Sequence, residues 1–457
     1  MNLGFYKEVK RLKWKYLFFT LLLIVGFILR ILLSPYGTFE GDFRTFKAWA
    51  IGISKVGFSK FYGEYWCDYM PGYLYVLWLL DKMHSIFPTI PDKILFKLPA
   101  NLSDLGISIL ILFALRNITS LKNAQLASLA YFFNPASLSN STFWGQVDSF
   151  HALPILVSIV LGIRRHFVVS SIFATIAFMI KPQSIVIFPI IGFFVIRDII
   201  RGKKEDRLAL KTLITGVKIL AASYAIIIFI ALPFIWTELT NNTLIGVFKE
   251  PIFFIKERFY TAYYGYKYTS VNAFNFWGMI QGMWRSDQDT FLEITYQRWG
   301  TIIFGAFYAL IFGFLFLSEV VRRGVAVVQK FEFLKTQNQF VSPVDDKFSI
   351  RTFYAVTLIL FAIFLFVTRA HERHFLPTIV FFTLIAFRSF IYWVLYALIS
   401  LVYVVNMFYA YNKYHTISGF SSSLIDPYVP VVVVLLVIIF LIVFSDFIRK
   451  TICFSRV

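Results

Sequence analysis

Two stretches of this chain leave it one broad choice of fold. The blocks "YLFFTLLLIVGFILRILL" (Tyr16 to Leu33) and "VPVVVVLLVIIFLIVF" (Val429 to Phe444) approach the ~20 apolar residues with which a helix crosses the hydrocarbon core of a bilayer. The rest of the chain is of the same kind. Of its 457 residues 58% are hydrophobic, 20% aromatic and only 15% charged, and the mean hydropathy is +0.71; soluble globular domains carry about a quarter charged residues. The expected fold class is all-α, a polytopic membrane protein.

A net charge of +19 would suit a nucleic-acid partner, but the basic residues are placed otherwise. They gather in short loops: "KEVKRLKWK" at the start, Arg164-Arg165, "RDIIRGKKEDRLALK" from Arg197, "RRGVAVVQKFEFLK" from Arg322 and "IRKTICFSR" at the end. Such clusters mark cytoplasmic loops and contact with anionic lipid. Membrane lipids are therefore expected partners and nucleic acid is not. The first apolar block has a basic flank, yet Ser34-Pro35-Tyr36 offers no A-x-A-like cleavage site and the run exceeds a signal-peptide core; it reads as an uncleaved anchor. Cys67 and Cys453 then fall on opposite sides of the membrane and cannot pair.

Turning the basic loops inward gives helices near residues 17–36, 97–116, 125–141, 147–163, 167–181, 183–199, 213–235, 300–318, 352–368, 374–388, 391–409 and 428–446. That is twelve crossings, within a range of about 11–13. Residues 1–457 form a single integral-membrane domain, with a first outer loop at 37–96, a second at 236–299 and a cytoplasmic loop at 319–351, expected as a helix extension and linker. Segment 71–87 is apolar enough to insert, but a full crossing there would invert every later basic loop, so it is expected to be half-inserted. Nearly every polar motif with unusual chemistry then falls on the outer side.

The motifs each admit two readings. In "TFEGDFRTFKAWA" Glu40 and Asp42 can face one ligand, with Arg44 supplying charge beside them, as a general base or a metal ligand needs; alternatively Asp42 is a helix N-cap. In "WGQVD" Trp144 offers a ring face to a sugar and Gln146 and Asp148 offer hydrogen bonds; alternatively Trp144 belongs to an aromatic belt and Asp148 caps a helix. "TRAHERHFLP" gathers Arg369, His371, Glu372, Arg373 and His374. It is not the zinc motif H-E-x-x-H, and its donors suit a phosphate or pyrophosphate. In "IKPQ" Lys181 either snorkels or reaches a lipid phosphate, with Pro182 opening the next helix at its first position.

Taken in order, "EGDFRTFKAW", "DYMPGYLYVLW", "FNPASLSNSTFWGQVDS", "IKPQ", "YTSVNAFNFWG" and "TRAHERHFLP" resemble the GT-C superfamily of integral-membrane glycosyltransferases. The likeness is to prokaryotic mannosyltransferase-like proteins related to the second mannosyltransferase of the GPI pathway, over roughly residues 17–410. The resemblance implies a catalytic first outer loop with a modified D-x-D motif, here Glu40-Gly41-Asp42, and transfer of a sugar, mannose above others, from a polyprenyl-phosphate donor. The acceptor is a glycan, lipid or protein hydroxyl. Asp42 would be the general base, assisted by Glu40. Arg369, His371, Arg373 and Lys181 would bind the donor phosphate, and Trp144, Gln146, Asp148, Arg44 and Asn272 the sugar or acceptor. No cofactor is required, although a divalent metal is compatible with the superfamily. The active site would face away from the cytoplasm, at the plasma membrane of a prokaryote or the ER membrane of a eukaryote, where Asn241-Asn242-Thr243 would be a glycosylation acceptor. Rival readings are a flippase or transporter of lipid-linked sugars, and a glycan ligase or polymerase of the same superfamily. A transporter needs polar groups reachable from both sides of the midplane, and the motifs here lie on one face.

Overall fold

The computed structural model describes residues 3–201, 208–240, 244–332, 346–414 and 421–453. Its helices are α1 (Leu3–Leu33), α2 (Glu40–Val56), α3 (Phe58–Glu64), α4 (Pro71–Ile86), α5 (Asp92–Leu115), α6 (Leu121–Phe132), α7 (Pro135–Ser137), α8 (Asp148–Ile163), α9 (Phe167–Ile180) and α10 (Phe188–Arg201). They continue with α11 (Leu208–Ala231), α12 (Trp236–Thr240), α13 (Leu244–Tyr264), α14 (Phe276–Ile280), α15 (Tyr296–Glu332), α16 (Asp346–Phe366), α17 (Leu376–Ala386), α18 (Phe390–Tyr414) and α19 (Val429–Cys453). Among the described residues the only strands are a hairpin pairing Thr290–Phe291 with Ile294–Thr295.

Each of the twelve segments expected to cross the membrane holds a helix. Seven helices are long and apolar enough to span, at Trp14–Leu33, Asp92–Leu115, Leu210–Ala231, Tyr296–Val321, Asp346–Phe366, Phe390–Tyr414 and Ser422–Ile452; the protein is a multi-pass membrane protein by this measure. The others are shorter than the sequence suggests. α9 ends at Ile180 because Pro182 cannot continue its hydrogen bonding, and the chain makes a 3₁₀ turn over Pro182–Ile187 before α10. α17 has only 11 residues, all of them buried, as befits a helix apolar on every side. α16 and α17 form the centre of the bundle, while α1, α11, α15 and α19 turn large exposed side chains such as Leu21, Leu213, Leu310 and Val431 outward, which suits lipid.

The stretch 37–96 holds three helices, α2, α3 and α4, and the start of α5. α4, with 16 residues, falls short of the ~20 needed to cross and packs with α2 in an aromatic cluster of Phe46, Trp49, Phe61 and Tyr73. The inner linker is partly a helix, since α15 runs on to Glu332; residues 333–345 and the sequon Asn241-Asn242-Thr243 lie outside the described residues. Cys67 is buried and free.

Buried charges tie the bundle together. Arg30, inside the first apolar block, bonds Asp104 at 2.7 Å, Ser137 at 2.7 Å, Thr142 at 3.2 Å and Asn101 at 3.3 Å. A charge taken out of water is tolerated only when so thoroughly partnered. The contacts fix α1 and α5 against the turn that follows α7. At the other end Glu319 joins Arg197 and Arg351, each at 2.9 Å.

Candidate active site at one end of the bundle

Asp42 sits in the first turn of α2. The N-cap is Phe39, without a side-chain cap bond, so the N-cap reading of Asp42 does not hold. Phe39 reaches its position through ring contact, stacked on Trp144 with centroids 4.3 Å apart and planes at 5°. That stack brings the indole to Asp42: Trp144 Nε1 donates to Oδ2 at 2.8 Å, and Gln146 Nε2 donates to the same oxygen. Arg373 Nη1 stands 3.9 Å from it. Every hydrogen bond and ion pair of the carboxylate with the described residues falls on Oδ2 and none on Oδ1.

The donors are held from below. A π-helical turn over Leu138–Trp144 ends at Gly145, whose φ of 89° is left-handed, a conformation glycine adopts without strain. A Cβ there would also lie 3.0 Å from Lys97 Cγ. Lys97 is buried, and its ammonium donates to four carbonyls, of Ser34 (2.7 Å), Tyr36 (3.2 Å), Thr142 (3.1 Å) and Phe143 (2.7 Å). It clamps the end of α1 to the strand of chain that presents Trp144 and Gln146.

Arg373 also lines a cavity of about 270 Å³, which Asp42 itself does not line. One side is polar, with Asp68, Lys181, Arg369, His371 and Arg373; the other descends along Ile155, Ile180, Leu360, Ile363 and Phe364. Arg373 Nη1 bonds Glu372 at 3.0 Å, while its buried Nε finds no acceptor among the described residues. Burial pushes the Asp68 carboxyl above the usual range, against the pull of Arg373. Next to it burial and Asp68 raise the Tyr266 hydroxyl to about 12. Burial, and then the charges of Arg373 and Lys181, push the His371 imidazole far below its ordinary value. A neutral imidazole is a hydrogen-bonding group and not a fixed positive charge.

The expected residues separate into distinct roles. Asp42, Trp144, Gln146 and Arg373 come together. Trp144 does not offer a ring face for a sugar, because Phe39 covers it and the residue is 5% exposed; what it offers is its N–H. Asp148 is fully buried and paired with Lys181 and with Asn140 Nδ2 at 3.2 Å, so it positions Lys181 at the cavity wall and does not reach an acceptor itself. Glu40 turns away from Asp42, because two positions on a helix are about 200° apart. Its partners are Lys93 at 2.8 Å and Arg44 at 3.9 Å, the latter with its side chain 81% exposed; neither Glu40 nor Arg44 lines the cavity.

Arg369 lines the cavity with its donors already committed. It bonds Asp287 through Nε at 2.6 Å and Nη2 at 3.3 Å, and the Tyr263 carbonyl through Nη1 at 2.7 Å. It holds the chain 263–287 to the start of the His371 turn. Asn272, at φ 60°, does similar work: its Oδ1 accepts from Trp284 Nε1 at 2.7 Å and its carbonyl from Asn406 at 2.6 Å. Sequence reasoning missed Lys97, Asp68, Tyr266 and Asp287. Asp68 had a signal, an acid three residues before a proline that opens a helix; Lys97 had none, since it reads as a cation at the start of an apolar run.

Among the described residues no three His, Cys, Asp or Glu side chains gather closely enough to hold a metal ion. The chain matches no family model, and no curated protein matches its sequence.

Proposed function

We propose that the protein is an inverting membrane glycosyltransferase that moves a sugar, expected to be mannose, from a polyprenyl-phosphate donor to an acceptor hydroxyl. The observation that carries this is Asp42: one carboxylate oxygen accepts from an indole and an amide, the other meets no donor among the described residues, and the group stands 3.9 Å from Arg373, which lines a cavity with cations on one side and apolar residues on the other. That arrangement suits a lipid phosphate whose chain runs down the apolar wall. In the reaction Asp42 takes the acceptor proton as the acceptor oxygen bonds to the anomeric carbon. The bond from that carbon to the phosphate oxygen breaks on the opposite face, and its electron pair leaves with the phosphate. Arg373, with Nε free of protein acceptors, and Lys181 meet the charge that develops there. Neutral His371 donates a hydrogen bond, while Trp144 and Gln146 keep the base aimed. Each polar group of the cavity is at one end of the bundle, which favours transfer over transport across the midplane.

The test is transfer from a panel of labelled polyprenyl-phosphate sugars by the purified full-length protein, with the anomeric configuration of the product determined. Asp42→Asn keeps both donors from Trp144 and Gln146 near a similar side chain yet cannot accept a proton. It is expected to retain folding and donor binding while turnover falls ~10²–10⁴-fold. Glu40→Gln, altering a side chain that points elsewhere, is expected to stay within a few-fold of wild type. Near-normal turnover in Asp42→Asn would remove Asp42 as the base.

A further inference from the structure

At the end of the bundle opposite the cavity lies a second pocket, of about 160 Å³, lined by Lys347, Ile350, Arg351, Tyr354, Arg388, Phe447 and Lys450. The two sites are at the two ends of one helix. Leu360, Ile363 and Phe364 near the C-terminus of α16 line the cavity, whereas Lys347, Arg351 and Tyr354 on its first turns line this pocket. Four of its seven lining residues are cations and none is an acid. Asp346 precedes Lys347 in the chain, and two other carboxylates, Asp446 and Glu319, have protein partners. Asp446 accepts from Arg449 at 2.8 Å, Tyr392 at 2.6 Å and Tyr354 at 3.2 Å, and it pairs with Lys450. Glu319 serves Arg197 and Arg351.

Arg388 stands apart from these. It lies in the turn between α17 and α18, exposed, and its guanidinium meets no acceptor among the described residues. Two long helices begin close to lining residues, α16 at Asp346, one residue before Lys347, and α18 at Phe390, two after Arg388; the partial positive charge of a helix N-terminus adds to the cations at α18, while at α16 the acid Asp346 offsets it. The chain that follows Arg388 is apolar and turned outward: Phe390 is 80% and Ile391 64% exposed, at the start of a helix long and apolar enough to span the membrane.

We infer that this pocket binds the phosphate of an anionic membrane lipid, with Arg388 and Lys450 on the phosphate oxygens and the acyl chains lying along Phe390 and Ile391. Arg supplies bidentate charged hydrogen bonds to phosphate, and basic pockets between membrane helices suit such headgroups. The apolar lip distinguishes a lipid from a free phosphate, which would gain nothing from it. The inference does not depend on the reaction at the other end.

The experiment measures retention of phosphatidylglycerol against phosphatidylcholine by the full-length protein in nanodiscs of defined composition. Arg388→Gln is compared with Arg116→Gln, an exposed arginine at the far end of α5 whose charge rests over the Phe113 ring 4.6 Å away. Wild type and Arg116→Gln are expected to prefer phosphatidylglycerol equally, and Arg388→Gln to lose about tenfold of that preference, the worth of one charge-assisted contact. Equal losses in both variants would mean diffuse attraction to a basic surface and would overturn the site. So would an unchanged preference in Arg388→Gln that remains folded by its thermal transition. Glycerol phosphate or inorganic phosphate displacing the lipid at matched concentration would overturn its assignment to a lipid.

Discussion

A carboxyl group whose proton is held more tightly by burial would change what the proposed anionic donor meets as pH rises. Asp68 is such a group: burial raises it, and Arg373 only partly offsets the effect. The sign follows. A raised carboxyl holds its proton to a higher pH than an ordinary carboxylate does; in the protonated form it can donate a hydrogen bond at the polar side of the cavity. On ionising it places a negative charge beside Arg373 and against the donor phosphate. Donor KM is therefore expected to rise as pH climbs through the Asp68 transition, and Asp68→Asn, which stays neutral, to flatten that rise while leaving kcat at low pH within a few-fold. A KM profile of the same shape in Asp68→Asn would show that another group titrates. At this scale the site was legible in part. Asp42 and Arg373 announced themselves as charges out of place beside apolar runs. Asp68 did not, because what distinguishes it is its burial near Tyr266, set by chain some 200 residues further on. Trp144 was found for a reason that does not apply: only the fold reveals that Phe39 covers its ring and that its N–H faces Asp42.

Helix existence was legible because apolar runs are a local property, whereas helix length and approach are set by neighbours. In the first outer segment the sequence offers a helix capped by Asp42 and a half-inserted stretch at 71–87; the structure has α2 and α4 there, α2 with Phe39 at its N-cap, both on an aromatic cluster that sequence alone does not assemble. Gly72 shows what holds α4 in place. A Cβ there would meet the Met179 carbonyl oxygen at 2.5 Å, a backbone atom in the last turn of α9, two residues before Lys181. Backbone cannot yield as a flexible side chain can, so Gly72→Ala must part α4 from α9. A cost of about 1–3 kcal/mol is expected from overpacking of this kind, read as a lowered thermal transition in detergent. Donor affinity is expected to fall alongside, since Lys181 moves with the end of α9. Gly57→Ala is the control, because nothing lies within 4 Å of a Cβ there, although its φ of 79° carries a backbone strain of its own. Loss of stability in Gly57→Ala without loss of donor affinity would separate the two effects; full donor affinity in Gly72→Ala would show that the approach of α4 to α9 does not position Lys181.

Across the whole molecule, the cavity with Asp68 and its histidines occupies one end of the bundle and an excess of cations the other, joined by α16. The charge asymmetry was legible from the loops; which end is outside follows only if basic loops remain in the cytoplasm. On the proposed function the orientation decides where the lipid-linked donor would be delivered, and it can be read with two single cysteines. Arg44 lies at the cavity end with its side chain 81% exposed and a contact to Glu40 at 3.9 Å, an exposed pair worth at most about 1 kcal/mol. Arg116 lies just past the other end of α5 and is also exposed. Both can be changed to Cys with little effect on folding, in a background where Cys67 and Cys453 are replaced by Ser. An impermeant thiol reagent added to right-side-out vesicles is expected to label Arg44→Cys directly and Arg116→Cys only after permeabilisation. The reverse pattern would place the cavity on the cytoplasmic side and require donor and acceptor to be supplied there. Labelling of both from outside would mean that α5 does not cross, which would remove the basis for calling the two pockets opposite faces of the membrane.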